Sequence, residues 1–316
     1  MPNQNLLEEG LAILSQCKQE TGDIWHAHYG AAAIAGYFFA QEHEGDGILS
    51  QAIVSQTEAM LNKHGTASLY VNSERCEPAY AESTILAALE QTIDELHWVG
   101  HNVIYSAVSL IAIRELQGWG TEEQISGLSE LVLSFRKTIP GRSWIGYSVA
   151  EVKRLDLSSM DQLQLPREPK ELSAYVLEQL AAFSIIYEAE SHHDLIGHML
   201  TFSHALNLLY DMGHRSFFQR GQLPLRRLVN VLQASHHLKP GEAIKLYSAV
   251  DRIPLEPAER SEYLPTELGY WEKGRSKNEW DFGHAFKFPF SFYDHLKRAG
   301  SDEARFIEKF RYIIGR

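Results

Sequence analysis

The chain has 316 residues but only two cysteines, Cys17 and Cys76, too few for a disulfide framework. It has no uncharged apolar run near the roughly 20 residues that span a bilayer; the longest are residues 29–40 and 102–113. Glu8 and Glu9 stand where a secretory leader would have a basic start and an apolar core. These absences predict a cytoplasmic protein with free thiols and no membrane partner. Positive charge is also scarce. Lys and Arg number 29 against 41 Asp and Glu, a net charge of −12, which argues against nucleic acid and anionic lipid as partners. There is no HExxH, no CxxC, no EF-hand loop, no glycine fingerprint for a nucleotide and no GxSxG elbow. Low hydrophobicity is absent too: 44% of residues are hydrophobic and 22% charged, which excludes a disordered chain.

Strand-like alternation is almost missing, and helical periodicity takes its place. Residues 6–20 carry an apolar stripe at Leu7, Leu11, Leu14 and Cys17, whereas residues 26–42 are apolar nearly all round, as in a buried helix. Further helices are predicted over 48–63, 83–96, 100–116, 124–137, 171–189, 194–212, 225–237, 280–298 and 302–314, with Thr121 as a cap and a short helix at 240–248. Proline-bearing stretches at 139–170 and 240–277 read as long loops. The expectation is an all-α protein of about ten or eleven helices.

Histidine is the abundant exception, with 15 residues. Four apolar helices open alike: IWHAHYGAAAIAGYFF, WVGHNVIYSAVSLIAI, LIGHMLTFSHALNLLY and DFGHAFKFPFSFYDHL. They place His28, His101, His198 and His284 at or near their starts, and three of these follow Gly100, Gly197 or Gly283 directly. Such internal similarity predicts a helical array or toroid in which equivalent inner helices face one centre. That centre would make residues 1–316 a single domain. Imidazoles that converge there would be held by a metal ion or form a shared polar site. His26 competes with His28, and His97 with His101.

At these residues the sequence resembles the questin oxidase-like family of all-helical oxidative enzymes. The likeness lies in Ala27-His28-Tyr29-Gly30-Ala31 and in Gly100-His101-Asn102-Val103-Ile104. It continues in His198 with His204-Ala205-Leu206, and in His284-Ala285-Phe286-Lys287. The resemblance implies one metal ion, iron with zinc or manganese as alternatives, bound by the four histidines and Lys287. It also implies dioxygen-dependent cleavage of an aromatic or quinone-type polyketide-like substrate, and extends more weakly to NADPH, for which no dinucleotide motif is present. An ammonium has no lone pair to donate, so Lys287 would ligate as a carbamate formed from its free amine and carbon dioxide. Its spacing from His284 puts both on one helix face.

Around these positions, His204 reads as a residue that supports the ligands or faces substrate, and Tyr105 as a catalytic group on an inner helix. Tyr29, Phe202, Phe286 and Phe290 would line an apolar site. Asp23, Glu95, Asp194 and Asp281 would either orient ligand imidazoles or cap helices. His192, His193, His236 and His237 read as solvent-facing or capping residues at helix ends, and His43, His64, His214 and His295 as peripheral. Two other readings of the same pattern stay open: a metal-dependent hydrolase and a non-catalytic helical-repeat protein in which the histidines only pack.

Overall fold

The computed structural model describes residues 3–64, 75–157, 165–272, 279–300 and 303–315. The fold is all-α: 66% helical, with almost no strand. The described residues form thirteen α-helices. Among them, no helix is long and apolar enough to cross a membrane. The chain divides into two compact units, each assembled from separate stretches.

The first unit comprises Met1–Thr92, Asn102–Arg136 and Tyr263–Phe290. Its centre is α2 (Ala27–Glu42), buried on nearly every side. This helix packs between α1 (Asn5–Thr21) and α3 (Gly47–His64). Small residues set the spacing: a Cβ on Gly30 would lie 2.5 Å from the Gly10 carbonyl oxygen, and one on Gly36 would lie 2.4 Å from Thr57 Oγ1. The unit also holds α4 (Pro78–Leu89), most of α5 (His101–Glu115), α6 (Glu122–Leu133), α11 (Leu268–Glu272) and the first half of α12 (His284–Ala299). Helix α6 starts with the expected cap: Thr121 Oγ1 accepts from the Gln124 N–H while Gln124 Oε1 accepts from the Thr121 N–H.

The second unit comprises Ile93–His101, Lys137–Glu262 and Ser291–Arg316. Its centre is α9 (Leu195–Asp211), packed between α8 (Pro169–Ala181) and α10 (Arg215–Gln233). Two short helices, α7 (Val149–Arg154) and α13 (Ala304–Ile313), complete it with one antiparallel pair, β1 (Trp144–Ile145) on β2 (Leu246–Tyr247).

Three expectations need correction. Helix α10 begins ten residues before its predicted start, because Pro224 lies inside it without ending it. No helix forms over 240–248; Leu246 and Tyr247 pair with β1 instead. The helix predicted from residue 280 begins at His284, since residues 280–283 turn the other way. Parts of both predicted loops, 158–164 and 273–277, and the start of the last predicted helix at Asp302 lie outside the described residues.

Candidate metal centre

Each predicted ligand is held by the turn that precedes its helix. In the first unit, the Trp25 carbonyl accepts from the His28 main-chain N–H at 3.1 Å and lies 3.0 Å from His28 Nδ1. A carbonyl only accepts, so Nδ1 carries the proton. Tyr105 Oη lies 2.8 Å from the same Nδ1 and donates its own proton to the Ile24 carbonyl at 3.4 Å. The lone pair of neutral His28 is therefore on Nε2. His284 follows the same plan with an acidic partner, Asp281 Oδ2, at 3.2 Å from Nδ1. The rings of His28 and His284 lie 5.7 Å apart, and both residues are buried.

In the second unit the Trp98 carbonyl again takes both the main-chain N–H and Nδ1–H of a histidine three residues on, His101. His198 Nδ1 donates to the Asp194 carbonyl at 2.8 Å, with the Asp194 carboxylate 3.4 Å away. With both Nδ1 atoms protonated, His101 and His198 face each other through their Nε2 atoms at 3.3 Å. Two lone pairs at that distance repel unless something electropositive lies between them. Ligands about 2.1 Å from one ion and 3.3 Å from each other subtend roughly 100°, which suits adjacent positions on a tetrahedral or octahedral ion. The donor set therefore fits a metal. Among the described residues, His28, His101, His198 and His284 are buried and Asp194 half-buried, and each offers an atom of the kind that can ligate a metal ion.

Backbone strain reinforces these turns. Trp98 and Val99 have φ of 39° and 53°, and Trp280, Asp281 and Phe282 have φ of 55°, 43° and 49°. Side chains rarely tolerate this left-handed region, and each such residue costs on the order of 1–3 kcal/mol. Each run ends in a glycine with positive φ that nothing larger replaces. A Cβ on Gly100 would stand 2.4 Å from the Phe202 ring, and one on Gly283 would stand 2.2 Å from Ala32 Cβ. The repeated Trp-x-x-His of Trp25/His28 and Trp98/His101 was the sequence signal for the carbonyl that holds Nδ1 of each histidine.

The remaining predicted residues separate. Lys287 is buried one turn beyond His284 on α12. Tyr105 is buried against His28 Nδ1, where it orients the ring. His26 is half-buried, edge-on to Tyr29. His97 pairs with Thr138 Oγ1 at 3.3 Å, and burial lowers its pKa. Asp23 accepts the Trp25 N–H at 2.8 Å in the turn before α2, and Glu95 is exposed. Phe286 stacks on Trp271 and Phe290 on Phe38, both as core; Phe202 lies against Gly100; Tyr29 stacks on His64.

Three histidines contradict their expected exposure. His192 and His193 are buried, with Nδ1 accepting the Tyr187 and Ala189 N–H groups at 3.0 and 2.9 Å. Asp251 completes that clamp, taking the Glu190 and Ser191 N–H groups at 2.8 and 2.9 Å. His295 is fully buried, and His204 sits on a buried line with Ser291 and Asp294.

Comparison with family models, curated proteins and solved structures gave no match.

Proposed function

We propose that this chain is a metal-dependent oxygenase, with His28, His101, His198 and His284 as its ligand histidines and Lys287 as a further ligand. The observation that carries the reading is the His101–His198 pair, whose two Nε2 lone pairs meet at 3.3 Å. Support comes from the recurrence of the same held Nδ1 at His28 and His284. Four neutral imidazoles suit iron, manganese or zinc. Iron bound there would supply the activation of dioxygen.

The chain's own residues supply the rest. The Trp25 and Trp98 carbonyls, the Asp194 carbonyl and the Asp281 carboxylate keep the ligand protons on Nδ1. Lys287, as a free amine, adds to carbon dioxide; a C–N bond forms, one proton leaves, and an anionic oxygen donor results. Beside His28, the Trp25 ring at 5.7 Å and the exposed Phe282 ring at 6.0 Å offer faces for a flat aromatic or quinone-type substrate. The motif-level resemblance to questin oxidase-like enzymes supports that substrate class and dioxygen as co-substrate.

Metal analysis of purified protein, paired with dioxygen uptake in the presence of polyhydroxylated aromatics and quinones, tests the reading. About one equivalent of iron per chain and substrate-dependent uptake are expected, and His101→Ala or His198→Ala should each lose the ion. Full iron content in either variant would overturn the reading. Stoichiometric zinc without uptake would point to a hydrolase, and metal-free protein to a scaffold.

A further inference from the structure

Helix α12 carries a polar stripe along a face that a buried helix would ordinarily fill with apolar side chains. His284, Lys287, Ser291, Asp294 and Arg298 stand at i, i+3, i+7, i+10 and i+14, so they share that face. The first four are buried. In the second unit, His204 of α9 lies between two of them: its Nδ1 is 3.1 Å from Ser291 Oγ, and its Nε2, outside hydrogen-bond alignment, is 3.4 Å from Asp294 Oδ2, within a small rotation of the ring. Asp294 continues to Arg298 Nε at 2.5 Å, and Arg298 continues to Asp211, whose side chain is 46% exposed.

A neighbouring network shows what a purely structural arrangement looks like. There Asn207 Nδ2 donates to Ser173 Oγ at 3.0 Å, and Ser173 Oγ lies 2.9 Å from His295 Nδ1. His295 Nε2 lies 2.9 Å from the Leu200 carbonyl and 2.9 Å from Ser203 Oγ, whose own proton goes to the Met199 and Leu200 carbonyls at 2.7 and 3.0 Å. Both branches end on carbonyls, which accept a hydrogen bond but do not take up a proton at ordinary pH, so no proton leaves that line. The His204 line ends differently. A hydroxyl that both donates and accepts lies on one side of the imidazole, and a carboxylate that takes up a proton lies on the other.

We propose that Ser291, His204 and Asp294 form a proton relay between the buried stripe of α12 and solvent. A proton reaching Ser291 Oγ releases the hydroxyl proton to His204 Nδ1. The imidazolium then passes its Nε2 proton to Asp294 Oδ2, and the carboxyl, with 11% of its side chain exposed, delivers it to water. One proton moves and nothing is oxidised or reduced; rotation of the hydroxyl together with a flip of the His204 ring, which returns the proton to the Asp294 side, resets the line. The charged and titratable groups acting on His204 are Asp294, His295 and Arg298, all from α12. Burial holds His204 down at about 4, so it rests neutral and is charged only in passing. The Arg298 guanidinium beside it keeps Asp294 below the usual carboxylate range despite its burial. The use of this relay in catalysis rests on the metal-centre reading, but its existence does not.

The test is therefore run on metal-free protein. Exchange of imidazole N–H protons with water is measured by NMR, with the equally buried His295 as the internal control. His204 should exchange at least tenfold faster than His295, and faster still as pH falls from 7 to 5. Asp294→Asn should slow His204 to the His295 rate and leave His192 unchanged. Should that variant fail to fold, the wild-type pH series decides alone. An exchange rate at His204 that matches His295 at every pH, or that Asp294→Asn does not alter, overturns the relay and leaves the metal reading untouched. Absence of bound metal with fast exchange at His204 sinks the metal reading and keeps the relay.

Discussion

The buried histidines of this protein fall into two groups that the main chain treats in opposite ways. His28, His101 and His198 face carbonyls with Nδ1, and His284 faces a carboxylate, so the proton sits on Nδ1 and the lone pair on Nε2. His192 faces the Tyr187 N–H with Nδ1, so Nδ1 is the acceptor and Nε2 carries the proton, whereas His193 Nδ1 meets both the Ala189 N–H and the Tyr187 carbonyl. His192 and His198 are six residues apart and both shielded from water. The direction of one peptide group separates a potential metal ligand from a brace for the turn 187–194. Residue type and burial alone do not make a site; the tautomer does.

The sharpest way to break this comparison is to remove one member of each group. His198→Ala is expected to reduce bound metal from about one equivalent to under a tenth, read by elemental analysis, whereas His192→Ala keeps the metal and loses stability. Next in size is Gly283→Ala. It puts a side chain at φ 77° and 2.2 Å from Ala32, and several kcal/mol of stability should disappear in denaturant titration. Acid should then weaken the fold. Burial pushes His192 down to about 3 and His204 down to about 4, from an ordinary 6.5. Both are neutral when folded, but the unfolded chain takes up protons below pH 6.5. Stability is therefore full above that pH and falls by about 1.4 kcal/mol per unit per histidine toward pH 4. A flat melting temperature between pH 7 and 5 would contradict the burial of both rings.

Smaller effects sharpen the picture. Tyr105→Phe deletes the hydroxyl at His28 Nδ1 and leaves the Trp25 carbonyl in place. Metal affinity should fall about 10-fold to 100-fold in chelator competition, as for other groups that orient ligands from behind, with the fold intact. His26→Ala should change metal content not at all, which would settle the choice between His26 and His28.

Much of this was legible in the sequence. The all-round apolar character of α2 and α9 announced two buried central helices, and Thr121 announced the start of α6. The four ligand candidates were visible because each begins a helix of similar composition. Hydrogen-bond direction was not visible. Nothing in the letters of His192 and His193 tells that N–H groups of residues 187 and 189 fold back onto them. His295 read as peripheral, yet its ring turns inward to Ser173 and Leu200. The predicted helix began at Leu225, one residue after a proline, the residue that most often breaks a helix, but α10 runs through Pro224.

The two left-handed turns before His101 and His284 have a consequence for the order of events. Strain in residues 98–99 and 280–282 is incurred while the chain folds, so these rings are already fixed when an ion arrives. Binding would then ask for little rearrangement and order few side chains. The protein is built as a rigid mould that precedes its casting: vacant and loaded forms should share one backbone, and the mould's cost is visible only in the stability of the metal-free chain.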